Sequence, residues 1–332
     1  MAVEGRSREE DHSEDISKYA AKAGSYDALS AHQISRFFNR HKFTTKADCS
    51  RMAAEILKSP VSPTQIQGGH SYTVAADSGQ AFNVVQFRSS KLDVELVEHA
   101  KQSYGDFVPN CKYLGMLGDV HVYVWDLVPG PAFCRVRRQF LNLAMQQRLR
   151  QTVLDFARFS ASAWIKNPTI RQSSASVEEY SRTLDQISHG LPDRIRWKLD
   201  EVRQGLPLIF RPEYPKAVQH DDFLENNFHV NEATGHITGV VDWADAIFAP
   251  FGVSLGGLET ILGVQTSNRW YFHPHHVELM AHFWDTFYGE IGQISAQDRR
   301  SIEVARLFGL FRTYGFEEGD ARIVYLEALC ML

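Results

Sequence analysis

Along this chain the spacing of apolar positions changes period several times, and each change marks an element. Residues 1 to about 28 mix charge, Ser and Ala with almost no large apolar side chain, so they bury too little surface to offset their ordering entropy and read as a flexible tail. From Thr45 the period becomes helical: Cys49, Met52, Ala53, Ile56 and Leu57 recur on one face, Thr45 with Asp48 makes a capping-box pattern, and Pro60 is the stop. SYTVAA and FNVVQFR, joined by DSGQ, then read as the two strands of a hairpin. KLDVELVEHAKQSY returns to helical spacing through Leu92, Leu96, Val97 and Ala100 and closes at Gly105 and Pro109. KYLGML and VHVYVWDL are a second pair of strands, ending at Pro129-Gly130.

Beyond Pro131 the pattern is mainly helical. Leu149, Val153, Phe156, Ala157 and Ser160 mark one face of a long helix, a break falls near 166 to 176, and helices resume near 275 to 290 and from Ser295, where Ser295 and Asp298 repeat the capping-box pattern. FHV and ITGVVDW, joined by NEATGH, form the only hairpin expected in this half. The chain therefore divides into a tail (1–28), a small strand-rich lobe (29–126) and a larger helical lobe (127–332), an α+β arrangement.

Composition changes this picture little. An apolar content of 44% with 23% charged residues over 332 positions suits a globular protein with two substantial cores. A net charge of -5 gives no basic footprint for phosphate-backbone binding, so a small molecule is a better expected partner than nucleic acid. No stretch approaches the apolar length of a membrane span, and the charged N-terminus lacks a signal-peptide core, so a cytoplasmic protein is expected and no membrane partner. Cys49, Cys111, Cys134 and Cys330 are scattered and read as reduced thiols. The oligomeric state is not legible.

The chemistry concentrates in HDDFLENN at 220 to 227 and VVDW at 240 to 243. Phosphoryl transfer needs a carboxylate to orient or deprotonate the attacking hydroxyl and oxygen ligands for Mg²⁺. In kinases the base Asp and a metal-binding Asn lie five positions apart on one loop, and a second metal-binding Asp follows the next strand. Asp222 and Asn227 have that spacing, and Asp242 ends the ITGVV strand. VQHDDFLENNFHV followed by TGHITGVVDWADA resembles the signatures of the aminoglycoside phosphotransferase and choline kinase-like family over most of the chain. The resemblance implies a two-lobed protein-kinase-like fold and a small-molecule kinase that uses ATP and Mg²⁺ to phosphorylate a hydroxyl. It implies Asp222 as base, Asn227 and Asp242 as metal ligands, and His220 as the prop of the loop. Asp221 stands where the family has Gly, which adds a carboxylate beside the base. Asp245 reads as a cap of the following segment before it reads as a metal ligand.

On the nucleotide side, Gly68 and Gly69 in QGGHSYTV either let the backbone approach phosphate oxygens or form a plain turn. The strand FNVVQFR has no Lys; Gln86 and Arg88 share one of its faces, so Arg88 is the expected positive charge, with Lys91 beyond the strand and Glu95 or Glu98 as helix partner. VYVWDLVPG fits a linker between lobes, with the backbone from Trp125 to Leu127 on adenine and Val124 beside it. YFHPHH at 271 to 276 lacks zinc-site spacing, because Pro274 breaks any helix that would align its histidines. The acidic residues Glu317, Glu318 and Asp320 suit either a cationic acceptor or a solvated helix end. Two other readings remain: a kinase-fold protein that binds a ligand without phosphoryl transfer, and a His220-Asp221 metal doublet of a phosphohydrolase, which an adjoining β-hairpin disfavours.

Overall fold

Ile16 and Ala20, isolated apolar positions in a polar stretch, are buried at 2% and 4% exposure in the core of the second lobe. A computed structural model describes residues 15–77, 83–166, 175–267, 269–315 and 322–330. Residues 1–14 of the expected tail lie outside the described residues. A 3₁₀ turn at Ile16–Tyr19, capped by Asp15, leads into α1 (Ala23–Arg40). The tail expectation fails for 15–28 because a few apolar side chains dock into distant clusters: Tyr19 stacks on Tyr271 at 3.9 Å between ring centroids. A window average cannot register such sparse anchors.

The first lobe continues with α2 (Lys46–Leu57), whose Thr45/Asp48 capping box is formed, and with β1 (Val61–Pro63), β2 (Ser71–Ala76) and β3 (Asn83–Arg88). After them come α3 (Val94–Tyr104), β4 (Cys111–Leu117) and β5 (Val120–Asp126). The strands form one antiparallel sheet in the order β1-β2-β3-β5-β4. Strand alternation sends Tyr72, Val74, Val85, Phe87, Val120 and Val122 to one face, where Phe37 of α1 and Cys49 and Ala53 of α2 cover them. The other face, with Gln86, Arg88 and Trp125, turns toward the second lobe.

That lobe holds α4 (Phe133–Phe140), α5 (Gln146–Ile165), α6 (Val177–Ser188) and α7 (Asp193–Ile209). Short strands follow: β6 (Lys216–Gln219), β7 (Phe228–Val230), β8 (Ile237–Val240) and β9 (Ile247–Pro250). The chain ends with α8 (Gly257–Leu262), β10 (Gly263–Gln265), β11 (Trp270–Phe272), α9 (His276–Ile291), α10 (Ala296–Tyr314) and α11 (Arg322–Cys330). α5 packs along α9 and α7 along α10.

β7 and β8 make the expected hairpin, but it is not the only strand pair of this lobe. β10 pairs with β11, and β6 pairs with β9 across the whole acidic motif. The β6–β9 pair joins segments far apart in sequence, so neither turn chemistry nor local alternation announces it. It brackets the loop that follows Gln219 and the residues that follow β8.

Candidate active site

Gln219 closes β6 with a buried carboxamide. Its Nε2 donates to the carbonyls of Ala249 (3.3 Å) and Pro250 (2.7 Å), and its Oε1 accepts from the amides of Gly252 and Ser254, both at 3.1 Å. The loop from 220 to 227 thus starts from a fixed point. His220, 3% exposed, donates from Nε2 to the Val241 carbonyl at 2.8 Å and sets its ring edge-on to Trp243. That bond ties the start of the loop to the residue before Asp242. The Val241 amide donates to the Asn227 carbonyl at 2.8 Å, tying its end to the same place.

Asp222 and Asn227 are in direct contact: Asn227 Nδ2 donates to Asp222 Oδ2 at 3.1 Å and to its carbonyl at 2.8 Å. Asn227 Oδ1 accepts from Asn226 Nδ2 at 2.8 Å and keeps a second lone pair. Burial pushes the Asp222 carboxyl above its ordinary value; the nearby charges of Asp242 and Asp245 push the same way, while His220 and the Asn227 bond oppose them. Asp242 sits at φ 61°, ψ 56°, a left-handed conformation that costs a non-glycine residue about 1–2 kcal/mol. The structure holds it there through the Val241 contacts on both sides of the loop. Asp245 is exposed.

Asn227 and Asp242 line an interlobe cleft of about 270 Å³ together with Gly68, Gln86, Trp125 and Leu127. Gln86 Oε1 accepts from Trp125 Nε1 at 3.1 Å. A Cβ placed on Gly68 would lie 2.8 Å from Ser71 Oγ and 3.9 Å from Asp242 Oδ2, so the glycine turn approaches the acidic strand end with little room for a side chain. Arg88, 6% exposed, does not line the cleft but reaches it: its Nη1 lies 3.2 Å from Asp242 Oδ1.

Several expected residues fall elsewhere. Gly69 is outside the cleft lining. Glu95 is not a partner of Arg88: its side chain is 86% exposed and lies 4.0 Å from the His99 ring. α3 buries Val97, Ala100 and Tyr104, and two residues along a helix turn about 200°, which points Glu95 at solvent. Glu98 is exposed as well. Val124 packs with the first-lobe core, and Val84, opposite Trp125 in the sheet, lines the cleft instead. Glu317, Glu318 and Asp320 lie outside the described residues. In the histidine cluster, His273 is fully buried, and its Nδ1 accepts from the His275 amide at 3.2 Å.

Two residues of the site had no local signature. Arg312 of α10 pairs with Asp221, so the extra carboxylate beside Asp222 is neutralised rather than left facing it. Arg137 of α4, 6% exposed, bonds Glu225 inside the acidic loop at 2.6 Å and the carbonyls of Thr260 and Gly263 behind it. Each is a surface-type residue in sequence; only the packing of its helix makes it a partner.

Residues 114–270 match the phosphotransferase enzyme family. No curated protein sequence matches the chain. In fold, it resembles a choline/ethanolamine kinase family protein from Mesorhizobium loti, with a TM-score of 0.53, 11% identity and coverage of 83% of this chain and 87% of that one. It equally resembles a thermostable mutant of an aminoglycoside phosphotransferase, solved as a ternary complex with AMP-PNP and hygromycin B, with a TM-score of 0.53, 12% identity and coverage of 85% and 96%. The strand-rich first lobe and helical second lobe are a protein-kinase-like fold, and within it residues 114–270 are similar to the phosphotransferase enzyme family.

Proposed function

We propose that the protein is an ATP- and Mg²⁺-dependent phosphotransferase that phosphorylates a hydroxyl of a small molecule. The observation that carries this reading is that Asn227 and Asp242 line one cleft with Gly68 of the glycine turn, while Asp222 is hydrogen-bonded to Asn227. Asp222 accepts the proton of the acceptor hydroxyl as its oxygen bonds the γ-phosphorus and the bond to the β-phosphate bridging oxygen breaks, releasing ADP.

The donor set fits Mg²⁺. Asn227 Oδ1 and the Asp242 carboxylate are hard oxygen ligands, and a protein site of two such groups is what Mg²⁺ uses when phosphate oxygens complete its coordination. Bound Mg²⁺ supplies charge neutralisation on the phosphates. Arg88 adds a fixed positive charge beside Asp242, and Gln86 holds the Trp125 ring that lines the cleft. The backbone of Trp125 to Leu127, where the chain leaves β5 for the second lobe, is the adenine-side edge in this reading. It places the protein in the cytoplasm, where ATP and Mg²⁺ are both present.

The test is transfer of labelled phosphate from ATP to pooled alcohols, amino alcohols and aminoglycosides, with mass detection of the product. Transfer by the wild type that is lost in Asp222→Asn supports the reading. One observation favours a second reading, ligand binding without transfer: Asp242 already has Arg88 as an ionic partner. Stabilisation by ATP with Mg²⁺ and no product in any pool would select it.

A further inference from the structure

Tyr26 and Ser30 are four residues apart on α1 and therefore share one face of that helix. The Tyr26 hydroxyl donates to Glu225 Oε1 at 3.4 Å, and Glu225 stands between Asp222 and Asn227 on the acidic loop. Ser30, 6% exposed, donates from Oγ to the Gln65 carbonyl at 2.9 Å and accepts from the Gln67 amide at 3.2 Å, at the base of the glycine turn. One helical face thus touches both loops of the cleft. The helix is itself fixed at both ends: Asp27 pairs with Arg135 of α4, and Phe37, fully buried, enters the first-lobe core.

Gln67 extends the hold on the glycine turn. Its buried carboxamide donates to the Thr64 carbonyl (2.9 Å), Thr64 Oγ1 (2.9 Å) and the Thr73 carbonyl (2.8 Å), and accepts from the Thr73 amide at 3.0 Å. The side chain closes the loop between β1 and β2 from inside, leaving Gly68 at its cleft edge. On the other loop Arg137 grips the same Glu225 carboxylate that Tyr26 reaches.

We propose that α1 is a positioning helix that holds the glycine turn through Ser30 and Gln67 and the acidic loop through Tyr26 and Glu225, so that one element sets the spacing of nucleotide and base. The inference rests on the phosphotransferase reading for its consequence, but its structural core does not. A loop whose buried amide loses its acceptor opens more often, and a phosphate cradle that must be ordered on binding holds nucleotide more weakly.

The experiment uses the full chain and the conservative variants Ser30→Ala, Ser30→Thr and Tyr26→Phe. Amide hydrogen exchange is followed over 64–73 and 222–227, and AMP-PNP binding is measured with Mg²⁺ by calorimetry. Ser30→Ala is expected to speed exchange in 64–73 and to weaken AMP-PNP binding, each by about 5- to 10-fold, with Ser30→Thr restoring both. Tyr26→Phe is expected to speed exchange in 222–227. Exchange in both loops unchanged by the two variants overturns the proposal, as does acceleration spread evenly over the whole chain. A wild type that fails to bind AMP-PNP counts against the phosphotransferase reading, while the exchange pattern still decides whether α1 holds the loops.

Discussion

Arg88 and Asp242 meet across the cleft at 3.2 Å, joining the last residue of β3 in one lobe to the acidic strand end of the other. Arg88 is almost fully enclosed, so this charge has no freedom to serve elsewhere. Truncation to Ala is expected to lower kcat/KM for ATP by about tenfold or more, because it removes a fixed cation from the phosphate side and leaves Asp242 without its partner. Arg88→Lys keeps the charge but loses the planar fork and is expected to recover part of the loss. Steady-state kinetics against ATP, at constant ionic strength, reads both; equal values for the Ala and wild-type chains would remove Arg88 from the site.

Asp222→Asn preserves size and the bond with Asn227 but cannot accept a proton. Turnover is expected to fall by about 10²- to 10⁴-fold, while AMP-PNP affinity stays within a few-fold, since Asp222 is not among the cleft-lining residues. Parallel kinetic and calorimetric measurements separate the two quantities. A parallel loss of nucleotide affinity would mean that the substitution disturbs the loop rather than the chemistry.

Behind the site, Arg306 of α10 and Glu259 of α8 form a pair 2.5 Å apart with side chains only 5% and 1% exposed, and Glu303 binds the same guanidinium at 3.1 Å. Burial pushes the Glu259 carboxyl up while Arg306 draws it down. Arg306→Met strands a buried carboxyl and is expected to cost about 3–5 kcal/mol in urea unfolding. Adding Glu259→Leu removes the stranded group and should recover most of that loss. A double variant as unstable as the single one would show that the pair matters through packing alone.

His273 gives stability a pH dependence. Burial, with His275 and His276 nearby, pushes its imidazole down to about 4, below the unfolded value of 6.5. The unfolded chain then binds more protons between those values, so this contribution is complete above pH 6.5 and is lost as pH falls toward 4. At pH 5 the loss is about 2 kcal/mol. Thermal unfolding of wild type and His273→Gln between pH 8 and pH 5 checks it: the variant should lose less stability over that interval. Identical slopes would assign the pH dependence to other groups.

Local pattern and local chemistry reached far into this protein. The Thr45/Asp48 and Ser295/Asp298 boxes form as expected, and Gln86 and Arg88 share the strand face that turns toward the second lobe. Asp222, Asn227 and Asp242 come together in the order their spacing implied. The limits are equally specific. Glu95 could not be rejected as a partner of Arg88 from sequence, because its direction depends on which helical face packs. The described part of the expected tail, residues 15–28, looked like tail because its anchors, Ile16 and Tyr19, gain their burial from α4 and β11, which no nearby residue announces.

By itself the sequence determined which faces exist and which side chains could do chemistry, since helical and strand periods act within a few residues and the motif spacing lies on one loop and one hairpin. The tertiary structure alone decided the partnerships. Arg88 reaches Asp242 across 154 positions, Arg312 reaches Asp221 across 91, and Tyr26 reaches Glu225 across 199. A charge or hydroxyl carries no address in its own segment; its partner is chosen when whole elements pack, by the burial that makes an unpaired polar group costly.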